Sequence, residues 1–408
     1  MRAPRLLMVL HDYYPEEARV VAEARAAVAA GFAVDVLALR GAGEAEWEVL
    51  DGVQVFRLPV AHRHGGGKFA LLGEYLHFTG RATLDAALRS RRQRYDVVHV
   101  HNPPDFLIVA SLVPRLLGAK VVFDVHDLTN DMFTMRFGNT PGGAVDRALK
   151  LVERLAARAS DAVLTVHEPY RQELGAHGVP VEKVSVVLNS LDESLVPPEP
   201  EDSADPGGGG FRVVYHGTIT PHYGVGLLVE AAARARARVR DLRLELYGAG
   251  DAVPEVIEAA RALGLGDALT VVPRFVPQRE VLRAVRSASV GVVPNLPLRL
   301  NRFALPTKLF EYVALGVPAV VADLPTIRLH FSEHEVCFFE AGDAASLAAA
   351  LEHVASDPEA AARRAEAARE RYEAYRWHRS AATYAELLWR LARERRRGLA
   401  AQGAAVSA

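Results

Sequence analysis

Short apolar runs alternate with stretches whose apolar positions recur every three or four residues, and the alternation begins near the N-terminus. Residues 5–10 predict a buried strand; Val20, Val21, Ala24, Ala27 and Val28 then fall on one helical stripe, Gly31 follows it, and residues 34–39 predict the next strand. This is a β-α-β unit, and its repetition predicts a parallel sheet covered by helices. Further strands are expected at 53–58, 96–100, 120–125, 161–166 and 184–188 and, after a break, at 212–215, 242–247, 268–272, 289–293 and 319–322. The break, residues 194–210, combines prolines, acids and a glycine run with almost nothing to bury after Val196, which is the composition of a linker. From about Asp343 the pattern is helical, rich in Ala and Arg, and interrupted at Asp357-Pro358 and near Trp377. The expected architecture is α/β, with one Rossmann-like domain over 1–193, a second over 211–376, and a last helix over 377–408 packing back on the first domain.

A chain of 408 residues suits two such domains. Charges nearly cancel, 48 Lys and Arg against 50 Asp and Glu, so no global field draws the chain onto nucleic acid, and partners belong in clefts. The single cysteine, Cys337, excludes internal disulfides and multi-cysteine zinc sites and fits a reducing cytoplasm. The apolar run 6–10 is too short for a signal-peptide core, and the run 313–322 is about half of what a membrane-spanning helix needs. A cytoplasmic enzyme or binding protein is expected.

In doubly wound sheets ligands bind at the carboxyl ends of the strands, and two such domains would face a central cleft. That rule selects His11, Asp12 and Tyr13; His101 and Asn102; His126 and Asp127; Asn189; His216, Gly217 and Thr218; Gly248 and Gly250; and Pro294 and Asn295. Gly248-Ala249-Gly250 would let backbone N–H groups approach a nucleotide, but it lacks the third glycine of a dinucleotide fingerprint, and no P-loop is present. His99 and His101 share one strand face, which suits half a metal site; hydrogen-bonded strand-end histidines are the better reading. The run 62–68, His-Arg-His-Gly-Gly-Gly-Lys, reads as a solvated loop. His126 can donate a hydrogen bond into a cleft with an adjacent acid fixing its tautomer, against a purely structural role in its loop.

The sharpest stretch is Ala304-Leu305-Pro306-Thr307-Lys308-Leu309-Phe310-Glu311-Tyr312. Pro306 and Thr307 start a helix that Thr307 can cap, and its positive end together with Lys308 suits a phosphate. Glu311, one turn later, offers a carboxylate to two ribose hydroxyls. The competing reading is an ordinary Lys308–Glu311 pair at i, i+3.

Taken in order, Tyr95-Asp96-Val97-Val98-His99-Val100-His101-Asn102 with Pro104-Asp105-Phe106-Leu107, Phe123-Asp124-Val125-His126-Asp127-Leu128, Val186-Val187-Leu188-Asn189-Ser190, Tyr215-His216-Gly217-Thr218, Tyr247-Gly248-Ala249-Gly250 and the Ala304–Tyr312 stretch resemble glycosyltransferase family 4 over nearly the whole chain, in the subgroup with an Ala-Leu-Pro-Thr-Lys-Leu-Phe-Glu-Tyr donor motif. The resemblance implies a GT-B fold and transfer of a sugar from a nucleoside-diphosphate sugar with retention of configuration. It places the donor in the second domain, on Gly217, Thr218, His222, Gly248, Gly250, Arg274, Leu305, Pro306, Thr307, Lys308 and Glu311. The acceptor falls in the first domain, on Asp12, Tyr13, His101, Asn102 and Asp127, with His126 and Lys308 as the catalytic pair. No cofactor and no metal are implied.

The chain departs from the family pattern at three places. The first glutamate of the family's pair is Phe303 here, and the residues that usually clamp the diphosphate are Thr218 and Tyr223. Phosphate charge then falls to Lys308, Arg274 and helix N–H groups, with His222 as a partial substitute. Two other readings share these features: a non-catalytic nucleotide-sugar binder and a GT-B nucleotide-sugar epimerase. The acceptor is expected to be a sugar or a lipid-linked molecule. Phe69, Leu71, Leu72, Tyr75, Leu76 and Phe78, followed by Arg89, Arg91, Arg92 and Arg94, form a pattern suited to peripheral contact with an anionic membrane.

Overall fold

The computed structural model describes residues 2–60, 67–196 and 210–406, with side chains up to residue 398. The loop 61–66 and most of the expected linker lie outside the described residues. The chain divides into two compact units: residues 1–189 with 378–408, and residues 190–377. Residues just after the division belong to the second unit because Glu193 is bound there: its Oε1 accepts from the Trp377 N–H and the Tyr372 hydroxyl, both at 3.0 Å.

The first unit is an eight-stranded sheet in the order β3-β4-β2-β1-β5-β6-β7-β8. Its strands are β1 (Arg5–Tyr13), β2 (Ala33–Leu39), β3 (Trp47–Leu50), β4 (Val53–Leu58), β5 (Val97–His101), β6 (Lys120–Val125), β7 (Ala162–Thr165) and β8 (Val184–Val186). All neighbours are parallel except β3, which pairs antiparallel with β4. This edge strand was missed in the sequence: its exposed and half-buried residues give no apolar run. The helix Ala18–Ala29 turns Val20, Ala24 and Ala27 inward as its stripe predicts, but buries Arg19 and Glu23 with them.

The second unit is a six-stranded, all-parallel sheet in the order β11-β10-β9-β12-β13-β14. Its strands are β9 (Arg212–His216), β10 (Arg243–Tyr247), β11 (Leu269–Val272), β12 (Val290–Val293), β13 (Ala319–Ala322) and β14 (Cys337–Phe339). Each sheet reverses its winding once, between β1 and β5 and between β9 and β12, and these are the points where doubly wound sheets bind ligands.

From His378 onward the helix Trp377–Val406 belongs to the first unit. There the Tyr384 hydroxyl lies 2.9 Å from His99 Nδ1, Trp389 Nε1 donates to the Ala30 carbonyl at 3.1 Å, and Arg395 donates to Asp96 at 2.8 Å. Its own Leu388, Leu391 and Ala392 are buried. Among the described residues no helix is long and apolar enough to cross a membrane.

Candidate active site

In the second unit, the ends of β9 and β10 lie against each other. Gly217 N–H donates to the Tyr247 carbonyl at 2.9 Å and Ile219 N–H to the Ala249 carbonyl at 2.8 Å. A Cβ on Gly248 would stand 2.0 Å from the Gly217 carbonyl oxygen, and one on Gly250 2.0 Å from that of Ile219. Both residues also have positive φ, 147° and 159°. The glycines are therefore demanded by the packing of two strand-end loops, whatever approaches them from outside.

Lys308 reaches into the same corner. Its side chain is buried, with Nζ 3.2 Å from the Tyr215 hydroxyl, 4.3 Å from the centre of that ring and 5.2 Å from the Tyr223 ring. A Cβ on Gly217 would lie 3.2 Å from Nζ, so glycine leaves room for the ammonium. Burial pushes the Lys308 pKa down to about 8, with Glu311 opposing only in part. Among the described residues no carboxylate pairs with Lys308, so the simple i, i+3 pair with Glu311 is not formed. His222 stands near enough for Lys308 to help hold its pKa low, after burial.

Glu311 is buried and occupied. Gln278 Nε2 donates to its Oε1 at 2.9 Å, and His216 Nε2 approaches its Oε2 to 2.9 Å. Burial raises the carboxyl, but the charge and hydrogen bond of His216, then Gln278 and Lys308, outweigh it and hold Glu311 below its ordinary value. Gln278 was missed because a glutamine opening the helix Gln278–Arg286 carries no motif; His216 was visible only as a strand end.

The helix Thr307–Ala314 is capped by Pro306 and has no side-chain cap. This corrects the expectation that Thr307 caps it: Thr307 is the first helical residue. Arg274 is exposed and turned onto Glu280 at 3.3 Å. Thr218 is exposed, and its carbonyl accepts from the Tyr215 hydroxyl at 2.7 Å. Phe303 carries the Arg302 guanidinium 4.2 Å above its ring, so an aromatic-cation pair stands where the family glutamate was sought.

In the first unit, the carboxyl ends of β1, β5 and β6 surround a cavity of about 200 Å³. Asp12, His101, Asn102, His126 and Asp127 all line it, as does His11, which the strand-end rule had selected; Glu17 and Tyr75 join them, which sequence reasoning did not place in the site, and Tyr13 does not line it. Asn102 is spent on the loop: its Oδ1 accepts from the N–H groups of His126 and Asp127, and its Nδ2 donates to Asp105 and the Asp127 carbonyl. It shapes the wall that carries His126. Leu71 and Phe78 of the helix Lys68–Arg92 are buried, whereas Phe69, Leu72 and Leu76 are exposed, Phe69 by 80%. Arg89 of the same helix is held by Asp85 and stacks on Phe56.

Residues 17–190 match the model of the glycosyl transferase 4-like domain, and residues 210–357 that of glycosyl transferases group 1. A glycogen synthase of Mycobacterium tuberculosis is 26% identical over 337 residues, 79% of this chain and 77% of the relative. Among solved structures, sucrose-phosphate synthase of Thermosynechococcus elongatus superposes with a TM-score of 0.73 at 19% identity, covering 95% of this chain and 99% of the other. Anabaena HepE in complex with UDP-glucose gives 0.69 at 15% identity, covering 94% and 99%. At these identities the structural likeness speaks for the fold.

Proposed function

With a glycosyl transferase 4-like domain followed by a group 1 domain, the chain is a glycosyltransferase of GT-B type, and from that premise we propose that it moves a sugar from a nucleoside-diphosphate sugar to an acceptor, with retention of configuration and without a metal ion. The observation that carries this reading is Lys308. A buried ammonium wrapped by two tyrosine rings and lacking a carboxylate partner among the described residues is poised for an anion from outside, and the developing charge of a departing diphosphate suits it. Glu311 takes the ribose hydroxyls, with Gln278 yielding or sharing its oxygen. Arg274 can leave Glu280 cheaply, because an exposed pair is worth about 0–1 kcal/mol.

His126 meets the transferred sugar and the first unit's cavity receives the acceptor. Lys308 and helix N–H groups stabilise the charge developing on the leaving phosphate, and retention needs no acid and base on opposite faces of the ring. The exposed Phe69, Leu72 and Leu76 support peripheral membrane contact for a lipid-linked acceptor.

Calorimetric titration with UDP, GDP and ADP, each with and without EDTA, tests the reading. At least one should bind in the micromolar range with affinity unchanged by chelation. Loss of an order of magnitude on chelation would remove metal independence. Tight binding of a nucleotide sugar without transfer or hydrolysis would favour the non-catalytic binder.

A further inference from the structure

Behind the cavity the first unit buries a polar cluster built on Arg19 and Glu23 of the first helix, His99 and His101 of β5, and Asp124 of β6. Glu23, His99, His101 and Asp124 each bring a potential ligand atom within 4.8 Å of the others, which invites a metal ion. The charges argue otherwise. Arg19 takes both oxygens of Asp124, Nε on Oδ2 at 2.8 Å and Nη2 on Oδ1 at 2.9 Å, and its Nη2 also lies 3.2 Å from Glu23. A divalent ion would have to share these carboxylates with a buried guanidinium, an arrangement that low dielectric penalises heavily. The cluster is already balanced by a cation of its own.

Its exit toward the cavity is His126. The Nδ1 atoms of His101 and His126 stand 3.1 Å and 3.3 Å from Asp124 Oδ2. His126 is the most exposed member of the group, at 14%, and lines the cavity. With Nδ1 turned to Asp124, Nε2 on the far side of the ring is the nitrogen left for a ligand. The loop cannot easily swing it away, since Asn102 grips the His126 and Asp127 N–H groups.

We propose that Asp124, clamped by Arg19, is a positioning residue that takes the Nδ1–H of His126 and so fixes an imidazolium whose Nε2–H donates to a hydroxyl or phosphate oxygen of the substrate. This rests on the proposed reading of the cavity as a substrate site with His126 in its wall. The three histidines illustrate the physics. Burial pulls all three down; it prevails in His99 and His101, where a neighbouring imidazole adds to it. In His126 the hydrogen bond and charge of Asp124 overcome burial, with Asp127 and Glu17 adding, and the value is pushed up to about 9. The charged and titratable groups around His126 are thus Asp124 on β6, Asp127 on its own loop, Glu17 at the N-cap of the first helix, Arg19 and Glu23 within it, and His101 on β5. Glu23 is itself pushed up by burial, against the pull of Arg19.

The test is an NMR titration of the full chain with labelled histidine, the His126 signal assigned by its loss in His126→Gln. In the wild type His126 should titrate above pH 8; a midpoint at or below the ordinary 6.5 overturns the proposal. In Asp124→Asn the midpoint should fall by about two pH units or more, because the carboxylate is gone while burial and Arg19 remain. An unchanged midpoint overturns the proposal. Should that variant fail to fold with Arg19 left unpaired, Arg19→Gln with Asp124→Asn removes both buried charges together, and the same fall is expected. Rates are read separately, as hydrolysis of the nucleotide sugar selected by the calorimetric titration. With the donor saturating, so that bound diphosphate keeps Lys308 protonated, an alkaline limb near the His126 midpoint should move to lower pH with Asp124→Asn and vanish in His126→Gln. If the NMR shift appears and His126→Gln hydrolyses at the wild-type rate at every pH, the Asp124–His126 pairing stands as structure, and it is the role given to His126 in catalysis that falls.

Discussion

The buried Lys308 and Glu311 lie one turn apart on one helix without a direct ion pair, and that divergence is what leaves them for the donor in the proposed reading. Each is held by a neighbour from another element: Lys308 by Tyr215, Glu311 by His216 and Gln278. Glu311→Gln keeps the shape and removes the charge. It should weaken UDP binding by about tenfold or more, since charge-assisted bonds to a diol are worth about 1.5–3 kcal/mol each before competition. It should also cost about 1–2 kcal/mol of stability by loosening His216. Calorimetry well below the melting temperature separates the two, and wild-type UDP affinity would withdraw the ribose role. Lys308 yields a pH dependence. Free, it loses its proton through about pH 8; bound to a diphosphate it keeps the proton to higher pH. Affinity should therefore be full below pH 8 and fall above it by up to about tenfold per pH unit, and Lys308→Met should flatten the profile.

At the level of elements, the junction of the β9 and β10 ends admits no side chain at Gly250. Gly250→Ala places a carbon 2.0 Å from the Ile219 carbonyl oxygen at a φ of 159°, so one loop must give way. A loss of at least about 3 kcal/mol is expected, seen as a drop of roughly 6–12 °C in the melting of the second unit. Gly226, inside the helix Val225–Ala235, is the control. A Cβ there meets nothing within 4 Å, and Gly226→Ala should stabilise by about 0.5–1 kcal/mol. These elements were largely readable from the sequence: β4, β6 and β13 span the predicted residues, and the breaks before Pro358 and Trp377 are real helix boundaries. The missed strands, β3 and β14, are the edges of their sheets, where one side of the strand needs no cover and the apolar run shrinks.

For the molecule as a whole, the last helix is a structural member of the first unit, although it is nearly 200 residues from the rest of that unit in sequence. A chain ending at Trp377 should lose cooperative melting of the first unit, because His99, Asp96 and the Ala30 carbonyl lose their partners Tyr384, Arg395 and Trp389 together. The second unit should keep its transition in differential scanning calorimetry; unchanged melting of both would show that the helix contributes nothing. The sequence by itself determined the alternating α/β class, the two sheets and the strand ends that line the candidate sites, because periodicity and turn residues are local. It also located Lys308, Glu311 and His126. Only the tertiary structure decided that Gly248 and Gly250 serve loop packing, that Lys308 turns to Tyr215 rather than to Glu311, and that Arg19, Glu23 and Asp124 form one buried network behind His126. Residues 19, 124 and 187 meet only when the sheet has formed, and no pattern along the chain encodes which buried charge will find which partner.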